Sequence, residues 1–264
     1  MKAWWREITG LVLPVACGGC GRPRTELCDT CAAVLDARPC RVRPTPEPPG
    51  LPLVHAVAPY ENAVRAMLLA HKERGALGLA GPLGGALAAA VRAGAGQVGG
   101  AGPLLLVPVP SARRATAARG HDPTRRIARS AAAELRRSGT PAHVPAVLRQ
   151  RRVVADQAGL GARERQANLT GALEVTAGAR HLLDGGRVWL VDDLLTTGAS
   201  LTEAARAVRA AWAGRGIGGD GAAAGARRTG RAAGHGASAG QGAVASLRAA
   251  VVAASPTAFE INRN

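Results

Sequence analysis

Apolar positions recur along this chain in two rhythms, and the change from one to the other marks its elements. "LVHAVAPY" (53–60) is a nearly continuous apolar run and predicts a buried strand. "NAVRAMLLAHK" (62–72) places Val64, Met67 and Leu68 at helical spacing. A second helix is predicted at about 83–92, and "PLLLVPVP" (103–110) is again a buried strand. "DPTRRIARSAAAELRR" opens with Asp122 as N-cap and Pro123 at the first helical position, with Ile127 and Leu135 on its apolar side. "AVL" (146–148) and "RVWLV" (187–191) read as strands, "TEAARAVRAAW" (202–212) as a helix, and "AAVVAA" (249–254) as a last strand. Alternating strands and helices, with strands apolar on both sides, predict an α/β fold whose parallel sheet is covered on both faces.

Two stretches break the rhythm. "RVRPTPEPPGLP" (41–52) is too rich in proline for a helix or a central strand and reads as a linker. Residues 213–242 are rich in Gly, Ala and Arg with no apolar period, and read as a disordered insertion. A basic nucleic-acid-binding loop is the alternative reading of that insertion. The organisation expected is an N-terminal module over 1–40, the linker over 41–52, and an α/β domain over 53–264 interrupted at 213–242.

Composition changes the picture in two ways. Of the 264 residues 47% are apolar but only 2% aromatic, so the core must be built from Ala, Leu and Val. The formal charge of +16 comes almost wholly from arginine, Lys2 and Lys72 being the only lysines. Such basicity favours polyanionic partners: phosphorylated small molecules, nucleic acid or anionic lipid. An Ala-, Gly- and Arg-rich composition is also what a GC-rich genome writes into neutral surface positions, so charge alone decides little. No stretch is expected to approach the roughly 20 apolar residues of a membrane span. "ITGLVLPVA" (8–16) is short, interrupted by Pro14 and preceded by Glu7, and reads as an element leading into the cysteines and not as an export signal. The expectation is a cytoplasmic protein with reduced thiols.

"CGGCGRPRTELCDTC" carries Cys17, Cys20, Cys28 and Cys31 as two C-x2-C knuckles. Each knuckle presents two thiolates from one tight turn, and two knuckles close a tetrahedral S4 site that suits zinc. An iron–sulfur cluster is the alternative metal. Such a site is structural, stapling a segment too small to have a core of its own. Cys40 is left over.

"VWLVDDLLTTGAS" (188–200) joins an apolar strand to Asp192 and Asp193 and then to a small-residue turn before a helix. The carboxyl end of a central strand is where open α/β sheets place ligands. Thr196, Thr197, Gly198, Ala199 and Ser200 offer backbone N–H groups and hydroxyls at a helix N-terminus, a cradle for phosphate, with the glycine allowing close approach. The spacing is not that of the lysine-bearing phosphate loop of nucleotide triphosphatases. Two carboxylates beside a phosphate make sense if they accept hydrogen bonds from sugar hydroxyls, so the ligand implied is a ribose phosphate.

This segment resembles the 5-phosphoribosyl-1-diphosphate (PRPP) motif of type I phosphoribosyltransferases. "VPVPSARRATAARGHDPTRRIA", "LRQRRVVADQAGLGARERQANLTGA" and the four-cysteine knuckle together resemble the ComF family, phosphoribosyltransferase-like proteins linked to competence for DNA uptake. The likeness runs over most of 10–212 and resumes at 249–258. It implies a type I phosphoribosyltransferase-like sheet, ribose contacts from Asp192 and Asp193, and 5′-phosphate contacts from Thr196 to Ser200. It also implies a mobile hood in the arginine-rich middle, in which Arg163 and Arg165, flanked by Gln157 and Asn168, are the picks for PRPP binding; Lys72 and Arg119 are further candidates. Arg forks match phosphate oxygens two at a time. The activity implied is Mg2+-dependent displacement of pyrophosphate at the anomeric carbon, with an acceptor the residues do not reveal. Thr196 stands where purine-base relatives carry Asp, which disfavours purine salvage, and His121 and Asp122 replace an aromatic and an Asn. The rival expectations are a non-catalytic ribose-phosphate sensor working in DNA uptake with a helicase-type partner, and a binder of single-stranded DNA.

Overall fold

The computed structural model describes residues 15–96, 102–111, 116–117, 119–154, 161–214 and 247–262. Residues 8–14 of the apolar run before Cys17, Gln157 and nearly all of the insertion expected at 213–242 lie outside them. The helices are α1 (Asp29–Ala33), α2 (Asn62–Glu73), α3 (Ala80–Ala95), α4 (Pro123–Arg137), α5 (Ala162–Leu169) and α6 (Ala199–Ala213). The strands are β1 (Cys40–Val42), β2 (Leu53–Pro59), β3 (Leu104–Pro108), β4 (Ala142–His143), β5 (Leu148–Gln150), β6 (Leu173–Val175), β7 (Arg187–Leu195) and β8 (Arg248–Ala254).

Six strands form one sheet in the order β1-β2-β8-β7-β3-β4. Only β1, at an edge, runs antiparallel. Side chains alternate between the two faces of each strand, so the sheet has two cores. Trp189, Val191, Leu104 and Leu106 point to one, packed by Met67 of α2, Leu83 and Leu87 of α3, and Ile127 and Leu135 of α4. Val188, Leu190, Leu105 and Val107 point to the other, packed by Leu201, Ala204 and Val208 of α6. With so few aromatics the layers must close up on small residues. At Gly84 of α3 a Cβ would lie 2.5 Å from Cβ of Ser130 in α4, so only glycine permits this helix–helix approach.

The path of the chain creates a crevice. From β3 it passes through α4 to β4, toward one edge of the sheet. From β7 it passes through α6 to β8, toward the other, on the opposite face. The strand order therefore diverges between β3 and β7, and the carboxyl ends of such neighbouring strands bound a ligand crevice.

Two expectations are corrected, and one helix appears that the apolar pattern does not announce. The strand expected at 146–148 lies at Leu148–Gln150 and pairs antiparallel with β6 in a separate two-stranded sheet; the main sheet instead ends on the two-residue β4, too short to leave a periodic signal. Helix α5 arises where periodicity is poor because, of its described side chains, only Leu169 is buried; its start is fixed by Glu164, whose carboxylate accepts from Gly161 N–H at 2.7 Å. One stretch, Leu77–Ala95, does reach the length and apolarity of a membrane span, but 56% of its apolar window is buried inside the protein. It combines a short 3-10 turn with α3, whose Ala and Gly residues let it lie flat on the sheet.

The segment 41–52 is docked on the body. Arg209 donates to the carbonyl of Gly50 at 2.7 Å, and Arg43 N–H donates to the carbonyl of Ala258 at 3.0 Å. The cysteine knuckles share the first core: Cys17, Cys28 and Cys31 are buried among Leu35, Met67, Leu79 and Leu83.

Candidate functional site

Sequence periodicity ends the central strand at 191, but β7 continues through both acids to Leu195. Its neighbour β3 stops pairing at Val191, whereas β8 pairs on through Asp192, Leu194 and Leu195. The acid pair thus sits where one flanking strand has departed and the other remains, at the mouth of the crevice. Asp193 points to the α2 face, as Trp189 and Val191 do, and is 7% exposed. Lys72, in the last turn of α2, places its Nζ 3.3 Å from Asp193 Oδ2. Asp192 is half-buried, and its Oδ1 accepts from Asp193 N–H at 2.9 Å. Burial, and then the adjacent Asp193 carboxylate, push the Asp192 carboxyl well above the usual range. The Asp193 carboxylate raises Lys72, outweighing burial. Two crowded oxygen-donor acids with one shared ammonium leave negative charge for hydroxyl donors or a hard, water-bridged cation such as Mg2+ to satisfy.

Thr196, Thr197 and Gly198 form the turn from β7 into α6. Gly198 has φ +79°, the left-handed region that glycine enters without strain. Asp192, Thr196, Thr197, Gly198, Ala199 and Ser200 line an open concavity whose exposed surface is almost wholly polar. The Thr197 hydroxyl accepts from Ala199 N–H at 3.5 Å, a long contact that leaves the first turn of α6 lightly held. A fifteen-residue helix with donors and dipole aimed at this concavity favours an anion there. The structure gives Gly198 a further reason. A Cβ there would lie 3.2 Å from Leu51 Cδ1 and from Pro48 Cγ. The Pro-rich segment backs the turn from behind.

Of the two arginines picked from the middle segment, the structure brings only Arg165 to this turn. Its Nη1 donates to the Thr196 hydroxyl at 3.4 Å, and its Nε is buried with no hydrogen-bond partner among the described residues. Arg163 is exposed on the same helix. Two positions along α5 turn it roughly 200° about the axis, away from Thr196.

Sequence reasoning missed the clamp that holds α5 and the β5–β6 hairpin here. Glu203 of α6 is 3% exposed, and its Oε1 accepts from Leu173 N–H at 2.9 Å. Arg206 donates to both Glu203 oxygens, at 2.7 and 2.8 Å, and to the Leu173 carbonyl at 2.8 Å. An acid and an arginine three apart on a helix look like a surface pair; burial alone sets this one apart.

Residues 119–122, just before α4, meet the end of α2. Arg119 grips Glu73 with two hydrogen bonds, at 2.9 and 2.7 Å. His121 Nδ1 lies 3.0 Å from the Arg119 carbonyl, and its ring meets that of buried His71 edge-on at 6.0 Å. Asp122 caps α4 as expected, accepting from Arg125 N–H at 3.0 Å. Three consecutive residues of α2, His71, Lys72 and Glu73, thus meet His121, the acid pair and Arg119 in turn.

The four cysteines converge. Their sulfurs all lie within 4.8 Å of one another, with Cys17 to Cys28 at 3.7 Å and Cys20 to Cys28 at 3.6 Å. The edge of a ZnS4 tetrahedron is about 3.8 Å for Zn–S bonds of about 2.3 Å, so this donor set fits a metal ion such as zinc. Burial raises the Cys17 thiol, but backbone N–H groups of Cys20, Cys28 and Gly19 outweigh it and lower the group to about 6. Burial and the neighbouring thiols push Cys31 up to about 12. The Cys17 thiolate is thus favoured near neutral pH, whereas Cys31 needs a cation to ionise. Cys40 is half-buried on β1, outside this cluster.

Comparison with known proteins found no protein-family model that matches this chain and no curated protein significantly similar to it.

Proposed function

We propose that this chain is a PRPP-binding protein of the type I phosphoribosyltransferase kind, resembling the ComF family. The observation that carries the reading is the placement of Asp192 and Asp193 at the end of β7, beside the turn 196–200 that opens α6. Asp192 lines the same concavity as that turn, so an anion site and a hydroxyl-accepting site are contiguous. A ribose 5-phosphate has that layout: a phosphate, then a vicinal diol.

In this reading Thr197, Gly198, Ala199 and Ser200 hold the 5′-phosphate, and Asp192 and Asp193 accept from the sugar hydroxyls. Thr196 and Arg165 stand at the mouth, where α5 and its hairpin can cover the ligand and exclude water. Arg163 contributes only if the hood moves on closing. Asp192 and Asp193 would hold the Mg2+ that accompanies the ligand, and the ion would supply charge neutralisation at the diphosphate. Displacement of pyrophosphate through an oxocarbenium-like state needs positioning and charge, not a protein nucleophile. Zinc in the cysteine cluster is structural, holding the knuckles against α2 and α3.

Calorimetry with PRPP and Mg2+ tests the site. Wild type binds, and Asp192→Asn weakens binding about ten- to a hundredfold, the worth of a charge-assisted hydrogen bond. Equal binding by both proteins would remove the acid pair from the ligand's contacts. Release of pyrophosphate with candidate acceptors separates an enzyme from a sensor.

A further inference from the structure

The cations around the acid pair are held with unequal tightness. Arg119 meets Glu73 through two hydrogen bonds, at 2.9 and 2.7 Å, the fork geometry that fixes a guanidinium. Lys72 meets Asp193 through one contact at 3.3 Å, longer than the roughly 2.8 Å of a good charge-assisted hydrogen bond. The Lys72 side chain is 37% exposed, whereas that of Asp193 is 9% exposed. An ammonium on a flexible, half-solvated stem can leave a slack contact; the carboxylate buried in β7 cannot follow it.

The faces of the sheet give that movement a direction. The turn 196–200 opens α6, which packs on one face. Lys72 belongs to α2, which packs on the other. Asp192 and Asp193 lie between. In a pentose 5-phosphate the phosphate and the anomeric carbon lie at opposite ends of the ring, with the diol between them. With the phosphate in the turn and the diol on the acids, the anomeric substituent points toward α2. There it meets Lys72, whose charge is engaged by the carboxylate that the diol needs.

We propose, resting on the ribose-phosphate reading of the site, that Lys72 is a mobile counter-ion. In the ligand-free protein its ammonium neutralises Asp193. In the complex it transfers to the diphosphate at the anomeric carbon and frees Asp193 for the sugar hydroxyls. A ligand that carries the diphosphate supplies the anion that draws Lys72 away. A ligand without it must compete with Lys72 for Asp193. The site therefore selects PRPP over ribose 5-phosphate through an exchange of ion pairs, in addition to the charge of the diphosphate itself.

The test compares the two ligands by calorimetry, with Mg2+, on wild type, Lys72→Met and Lys72→Arg. Wild type is expected to prefer PRPP. Lys72→Met is expected to lose about ten- to a hundredfold in PRPP affinity while holding or gaining affinity for ribose 5-phosphate, because Asp193 is no longer engaged. Lys72→Arg is expected to keep the preference. If Lys72→Met retains the wild-type ratio of the two affinities, the exchange is overturned and the ribose-phosphate reading stands. If Lys72→Met loses both ligands in parallel with a lowered melting temperature, Lys72 is only structural and the exchange is overturned again. Should Lys72→Met fail to fold, Lys72→Gln carries the same comparison. If wild type binds neither ligand, the ribose-phosphate reading falls, and the exchange falls with it.

Discussion

The carboxylate of Glu203 accepts the backbone N–H of Leu173 at 2.9 Å, so helix α6 holds strand β6 through a buried acid. The same helix begins at the turn 196–200, and the same strand carries the hairpin beside Arg165. Burial raises the Glu203 carboxyl, but hydrogen bonds from Arg206 and from Leu173 N–H more than reverse this, leaving it below its usual 4.5. A carboxyl depressed in the folded state adds stability above its unfolded value and loses it as pH falls through the folded one. Melting temperature should therefore fall more steeply below about pH 4.5 in wild type than in Glu203→Gln, whose amide does not titrate. Parallel pH profiles would show that the clamp is not titrating.

Asp192 carries opposite signs for stability and binding. Its carboxyl is raised, so the charged form is disfavoured in the folded state, and stability falls as pH climbs from its usual 3.8 toward the raised value. At neutral pH Asp192→Asn should raise the melting temperature while weakening PRPP. Both measurements on one sample decide the matter; a lowered melting temperature with PRPP affinity intact would mark the acids as structural.

Gly198→Val should act through the fold. The left-handed backbone at φ +79° costs a side-chain-bearing residue roughly 1–2 kcal/mol. The added carbons also press on Leu51 and Pro48. Gly198→Ala meets the same backbone penalty with less crowding, so melting temperatures should fall in the order wild type, Ala, Val. An unchanged melting temperature in both variants would contradict the docked position of the Pro-rich segment.

Zinc content should be one per chain, lost in Cys28→Ser and kept in Cys40→Ser. With Cys31 held at about 12 in the metal-free protein, loading at neutral pH must release protons. Calorimetric enthalpies in buffers of different ionisation heat measure that release; none would mean that the thiols are already ionised.

Much of this was legible in the sequence where one physical cause dominated. The apolar runs of β2, β3, β7 and β8 are buried on both faces, so hydrophobicity alone marks them. Asp122 and Pro123 announce α4 through cap chemistry. The C-x2-C spacing announces the convergence of four sulfurs. What escaped depends on partners far away in the chain. Strands β1 and β4 exist because a neighbouring strand offers hydrogen bonds, not because their own residues prefer extension. The continuation of β7 through two acids is enforced by β8, against the residues' preference for a turn. The further reason for Gly198 could not be read locally, since Leu51 and Pro48 supply the surface it avoids.

The position of β8 also governs the order in which the molecule can be completed. This strand follows both β2 and β7 along the chain, yet it lies between them and pairs with both. Until it arrives, two apolar strands present open edges across a gap, on a chain that already carries the cysteine knuckles and helices α1 to α6. The nascent protein is therefore a holding state, exposed to wrong pairing and to chaperones for as long as the residues between α6 and β8 take to be translated. A chain stopped before Arg248 would keep all the residues of the candidate site and lack the strand that joins its halves.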